Sequence, residues 1–354
     1  RALVEYALIA ESSDFYEQAL VRSVRCRLQL EDREGARAIL EGFLEQRVRD
    51  PSSSPATAEG AARREEALSA ALFLRGFIVA AQARETNDAG LHAQVLAYLE
   101  RYADDHAESP RFVVQALHCV LCAQLALGRA AAAKETFDRM ASSFPLEQTT
   151  SSAAITYYKT LDIELARTPA GSARAEIVRL MAECLELVNR SSAAPSLGYL
   201  RNEAAHWRSI GEWTKVESAL RRIVEISGEA PDRPDEIQRI VLPLLGRALL
   251  AQGRMVEAKA IFSPLVHDSV RKPAKSTVLD YARAVSGWLV GEGPAITVVA
   301  GADGSDAEYE AIASLLTSIV NTLEDPRGCE WFSLEFLLGY ARHRQGLRNP
   351  GARV

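Results

Sequence analysis

The stretch VLPLLGRALLAQGRMVEAKAIFSPLVHDS, residues 241–269, decides how the rest of the chain is read. Its apolar positions Val241, Leu242, Leu245, Leu249 and Leu250 recur at the three-and-four spacing of one helix face. Pro243 lies near the start, where a helix has no carbonyl waiting for the missing amide proton. Gly253 then supplies a residue able to take the left-handed conformation that ends helices, and the period resumes through Val256, Ala258, Ile261, Phe262 and Leu265. The pattern predicts two antiparallel helices closed across one glycine. Gly246 and Ala258 are the small residues that let two such helices approach.

The unit recurs. Val120-Leu121 precedes Gly128 at the same interval, Ala133 and Phe137 follow it, and Pro145 closes it. Trp207 stands before Gly211, with Val216, Leu220 and Ile223 after; Leu338-Gly339 and Gly346 repeat the interval again. This spacing resembles the tetratricopeptide repeat, with Leu-Gly in a first helix, a turn glycine, and Ala and Phe in a second. The resemblance implies an all-α fold: a right-handed α-solenoid of about seven antiparallel helical hairpins, forming one array over 1–354 with degenerate repeats and an irregular, longer connection at 291–306. A stacked array grows in one dimension and need not divide, although 354 residues would suffice for two or three ordinary domains.

Composition narrows the class. The chain is 48% hydrophobic, 25% charged and only 7% aromatic, which suits helices packed through Ala and Leu and excludes a disordered chain. A net charge of −6 argues against a nucleic-acid or anionic-membrane binder. Five cysteines without framework spacing read as reduced thiols. The most apolar run, Ala67 to Ala81, is too short to span a bilayer and carries Arg75, so no membrane insertion is expected. The reading is a soluble protein, cytoplasmic rather than secreted or periplasmic. The chain opens on Arg1 rather than methionine, which reads as a piece of a longer protein.

Along the chain, Asp14 and Glu17 form a capping-box pattern before a helix from Phe15 to Leu30, partnered by Arg33 to Val48. The Ser- and Pro-rich run Pro51 to Gly60 reads as a surface loop. A long helix, Arg63 to Arg84, is apolar on most sides and so central; His92 to Tyr102 is its partner. Thr150 to Ala166 and Arg174 to Asn189 make a further pair. Beyond Trp288, glycines and Pro294 break the pattern, and Ile296 to Ala300 suits either a short strand or one turn of helix. Ser305 and Glu308 would cap a last helix from Ala307 to Leu323.

No catalytic signature emerges. His118 and Cys122 share a helix face, but a structural zinc site takes four ligands and no second pair has that spacing, so these are buried small residues. Asp104, Asp105 and Glu108 superficially resemble a magnesium-holding aspartate motif, yet no matching second motif exists; they read as a solvated acidic turn. No metal or cofactor is expected, and no enzyme activity.

The tetratricopeptide resemblance implies that first helices line the concave side, where partners bind. First-helix residues pointing away from the seam within each pair are Gln115 and His118, then Arg201, Asn202 and Arg208, then Arg247, and finally Tyr340, His343 and Arg344. That set is polar and locally basic. Guanidinium groups grip carboxylates bidentately, so the expected partner is a protein or peptide with an acidic segment. Ala205 stands one turn after Arg201 where the family's chaperone-tail clamp would want an amide, so such tails are not the expected ligand. The function expected is a non-enzymatic scaffold or adaptor; the alternative is a ligand- or peptide-sensing regulatory segment of a larger signalling or transcription protein.

Overall fold

A computed structural model describes residues 2–10, 13, 15–49, 58–107, 110–228, 237–267, 273–286, 288–290, 296–298, 306–320 and 339. The chain divides into two compact units, one of residues 1–167 with 190–193 and the other of 168–189 with 194–354. In class the fold is all-α, and its helices pack in sequence order.

In the first unit a short helix α1 (Ala2–Ala7) precedes the pair α2 (Tyr16–Gln29) and α3 (Arg33–Arg49). Next comes α4 (Ala58–Thr86), which pairs with α5 (Ala89–Leu99), followed by the single turn α6 (Tyr102–Asp105). The third pair is α7 (Pro110–Ala126) with α8 (Ala130–Ser143), and α9 (Gln148–Arg167) follows. Each first helix touches the next: α2 packs on α4, α4 on α7, and α7 on α9. This nearest-neighbour stacking is what a helical repeat requires, because one hairpin alone leaves an apolar flank in water.

The second unit begins with α10 (Ser172–Ser191), whose last two residues belong to the first. The pairs α11 (Leu197–Ser209) with α12 (Trp213–Gly228) and α13 (Leu242–Ala251) with α14 (Met255–Val266) follow. Then come α15 (Lys275–Ser286) and α16 (Asp306–Val320). Leu245, Leu249, Ala258 and Phe262 all lie in one buried cluster with Trp207, Val216, Leu220 and Ile223.

The glycine corners are where the sequence places them. Gly128, Gly211 and Gly253 have φ of 69°, 82° and 74°. Each N–H donates to the carbonyl three residues back, and the following N–H donates to the carbonyl five back: Arg129 to Gln124 at 2.8 Å, Glu212 to Trp207 at 3.0 Å, Arg254 to Leu249 at 2.9 Å. This paired bond satisfies the carbonyls left over at a helix end. The same arrangement closes α2, where Asp32 donates to the Arg27 carbonyl at 2.9 Å and Glu31 takes φ of 60°. At the α4–α5 corner Asn87 is the left-handed residue, and Asp88 caps α5 by accepting from the Gly90 and Leu91 amides.

Gly246 also has its expected role. A β-carbon there would lie 2.7 Å from both Cε atoms of the Phe262 ring. Gly76 serves α4 and α5 the same way: a β-carbon would meet the Leu99 side chain.

Several expectations need correction. Phe15 sits at the α2 N-cap, with no side-chain cap, and Asp14 lies outside the described residues. The Glu17 carboxylate reaches Arg47 (3.2 Å) and Arg64 (3.9 Å). The partner of α4 ends at Leu99, and Tyr102 starts a separate turn that anchors its hydroxyl on Ser69 of α4 at 2.7 Å. α4 itself runs 29 residues, longer than its apolar run, because Ala58 to Glu66 extends it with charged residues at its N-terminal end. It is long and apolar enough to cross a membrane, but 61% of its most apolar window is buried inside the protein. A π turn, Ile237–Val241, precedes α13 without a break. Pro243 has no proton for the Arg239 carbonyl four residues back, which is where the helix widens. The open choice at Ile296 resolves as strand: Ile296–Val298 pairs antiparallel with Trp288–Val290.

Candidate functional site

The first unit carries a recess on a first-helix face. Three successive first helices build it, each through a three-or-four spacing: Arg25, Leu28 and Gln29 on α2, Phe73, Leu74 and Phe77 on α4, Phe112 and Gln115 on α7. It holds about 560 Å³ of open space, counting its mouth. Phe73 is the floor, buried, with ring centroids 5.6 Å from Phe77 and 5.2 Å from Phe112. Phe77 and Phe112 are only partly buried, so their rings keep a face toward the opening. Arg25 and Gln29 on the rim are exposed.

Gln115 is the one sequence-predicted residue in this recess. The phenylalanines were legible only as core, since an aromatic at helical spacing is ordinary core material until its exposure is known. His118, one turn further along α7, faces a smaller hollow instead, with Ala80, Arg84, His92, Val95, Cys119 and Cys122. Burial lowers the His118 pKa, and the Arg84 charge lowers it further, so the ring is neutral at physiological pH. Burial pushes the Cys119 thiol up to about 12 and raises Cys122 as well. Protonated thiols are poor nucleophiles and poor metal ligands. Among the described residues no group of three His, Cys, Asp or Glu side chains is placed to hold a metal ion.

The acidic turn is spent on ion pairs. Asp104 accepts from Arg139 of α8 at 2.8 Å, and Asp105 lies 3.7 Å from Arg101.

In the second unit, Arg201, Asn202 and Arg208 are exposed on α11. Arg247 on α13 is only partly exposed, and its Nε donates to the Asp280 carboxylate of α15 at 2.5 Å. Asp280 is buried and also accepts from Arg283 at 3.0 Å. The structure therefore commits Arg247 to a neighbouring helix of its own chain. Tyr340, His343 and Arg344 lie outside the described residues.

No protein-family model matches the chain, and no curated protein matches it by sequence. Among solved structures, a tetratricopeptide repeat protein from Parabacteroides merdae is similar over 92% of this chain and 98% of its own. It is 12% identical, with a TM-score of 0.34. That likeness is too loose to carry a family assignment.

A buried polar pair completes the inventory. Asn189 of α10 donates to the Glu203 carboxylate of α11 at 2.7 Å, and both side chains are buried. Removal from water raises the Glu203 pKa to about 7, with the Asn189 hydrogen bond opposing the rise, Glu186 adding to it, and Arg222 and Lys215 opposing it. A carboxyl poised near neutrality is what acid–base catalysis needs, but Glu203 lines neither of the two hollows described.

Proposed function

We propose that this chain is a non-enzymatic helical-repeat scaffold or adaptor that holds a protein partner on the first-helix face of its hairpins. The observation that supports this best is the recess across α2, α4 and α7: an apolar floor inside a polar rim, built from consecutive repeats. The neighbouring hollow holds thiols that burial keeps protonated, which makes them poor nucleophiles. The reading takes 1–354 as one array, places it in the cytoplasm, and takes the partner to be a protein or peptide with an acidic segment. Arg201, Asn202 and Arg208 are second-unit contacts for it, together with Gln115 in the first.

The test is affinity capture with the whole chain, followed by cross-linking and mass spectrometry. Cross-links from a captured protein should fall on α2, α4, α7 and α11, and Arg201→Glu with Arg208→Glu should deplete that protein. Cross-links confined to the second helices α3, α5, α8 and α12, with an unchanged partner list, would refute the reading.

A further inference from the structure

Several arginines of the first unit are held in ion pairs. Arg27 pairs with Asp32, Arg33 with Glu85, Arg63 with Glu59, and Arg47 and Arg64 with Glu17. Arg22 and Arg25 are exposed, and no described residue pairs with either. They sit three residues apart on α2, with Gln29 four further on, so all three form one stripe of that helix; Arg25 and Gln29 line the recess, and Arg22 stands one turn beyond it. Gln115 also lines the recess, and among the described residues no carboxylate does. In a chain with 47 acidic and 41 basic residues, an apolar hollow whose described lining carries Arg25, two amides and no carboxylate is a local reversal of sign.

We infer that this recess binds a peptide segment in which a bulky apolar side chain is flanked by carboxylates. The apolar side chain enters over Phe73 between Phe77 and Phe112, and the carboxylates meet Arg25 at the rim and Arg22 one turn beyond it. Burying an aromatic or leucine side chain supplies the affinity. The guanidiniums supply orientation and a faster encounter, and they reject basic segments. Gln29 and Gln115 offer amides to the peptide's backbone. Aromatic rings beside arginines also suit single-stranded nucleic acid, which needs ring faces open for base stacking. Here Arg25 is the one cation among the described lining residues, fewer than a groove tracking a phosphate backbone needs, which favours a peptide side chain over a base.

This inference rests on the scaffold reading and narrows it to one seat and one ligand chemistry. The test uses the whole chain and fluorescence anisotropy with a labelled peptide carrying one phenylalanine between pairs of glutamates. Binding should weaken at least tenfold when the peptide's phenylalanine becomes alanine, when its glutamates become glutamines, and when the protein carries Arg22→Glu with Arg25→Glu. Both arginines are exposed, so that variant should keep its circular dichroism and melting temperature. Phe112→Leu should reduce binding less than the arginine reversal. Absence of binding, indifference to the arginine reversal, or tighter binding of an oligouridine probe overturns the inference. The scaffold reading is judged separately: a captured protein still cross-linked to first helices, but not displaced by the peptide, sinks this inference and leaves that reading standing.

Discussion

Asn189 and Glu203 meet across the α10–α11 seam with 1% and 5% of their surfaces exposed, and Asn189 Oδ1 has no hydrogen-bond partner there. One buried amide is thin compensation for a carboxylate charge. Because the Glu203 pKa stands above its ordinary 4.5, at about 7, the folded state binds the proton more tightly than the unfolded chain. The stabilisation is therefore full below about pH 4.5 and is lost as pH rises through 7. The upper bound is on the order of 3 kcal/mol. All four tryptophans lie at or beyond residue 207, so their fluorescence follows the second unit. Its urea midpoint should fall between pH 5 and pH 8, and Glu203→Gln should flatten that slope and raise the midpoint at pH 8. A slope unchanged in the variant assigns the pH dependence elsewhere.

Gly246→Ala tests the closest approach of α13 and α14. The added carbon would press on the Phe262 ring, which is fully buried and has nowhere to turn. Overpacking of this kind costs about 1–3 kcal/mol. Tryptophan-monitored urea unfolding should show that loss, and Gly246→Ala with Phe262→Leu should recover part of it, since the shorter side chain vacates the collision.

The corners separate backbone strain from crowding. A β-carbon at Gly211 would meet nothing within 4 Å, so Gly211→Ala carries only the penalty of φ at 82°. That is about 1–2 kcal/mol. Glu31 already bears the same strain at φ of 60° and is exposed. Glu31→Gly should accordingly raise the thermal midpoint of the first unit, by the equivalent of about 0.5–1 kcal/mol. A decrease would mean that the Glu31 side chain holds the corner together.

Arg247→Glu should unfold the second unit more readily, for a reason unrelated to any partner. It would set a new carboxylate beside buried Asp280 and leave only Arg283 to balance two charges. Breaking a buried pair costs several kcal/mol, and partial exposure of Arg247 lowers that to about 2 kcal/mol. Arg208→Glu, exposed on α11, should change stability by no more than about 0.5 kcal/mol. Binding assays that reverse Arg247 would thus confuse misfolding with a lost interface, so the exposed arginines of α11 are the proper probes.

The corners were readable in the sequence because glycine has one strong reason to end a helix there, and Gly128, Gly211 and Gly253 all honour it. Glu31 and Asn87 were not, because they make the same bend with residues that also serve ordinary helices and loops. Gly246 and Phe262 were legible as a packing pair from spacing alone. Arg247 was not separable from Arg201 and Arg208 by sequence: its partner, Asp280, lies 33 residues away, and only the packing of α13 on α15 brings them together. The recess escaped detection for a similar reason. Phe73, Phe77 and Phe112 all read as core aromatics, and that Phe77 and Phe112 are half open follows from how α2, α4 and α7 pack, which no local pattern encodes.

The hairpin tips at Gly128, Gly211 and Gly253 share one main-chain fastening, a left-handed residue and two N–H bonds. At the Gly253 tip side chains add to the fastening, because Gln252 and Arg254 both donate to the Glu217 carboxylate of α12; the Gly128 tip has no such tie among the described residues and is the one open to rewriting. New epitopes, tags or short inserts placed between Arg129 and the helix after it should leave the neighbouring helices where they are. Such a tip would then serve as an attachment point for engineering, and as a place where relatives of this protein diverge first.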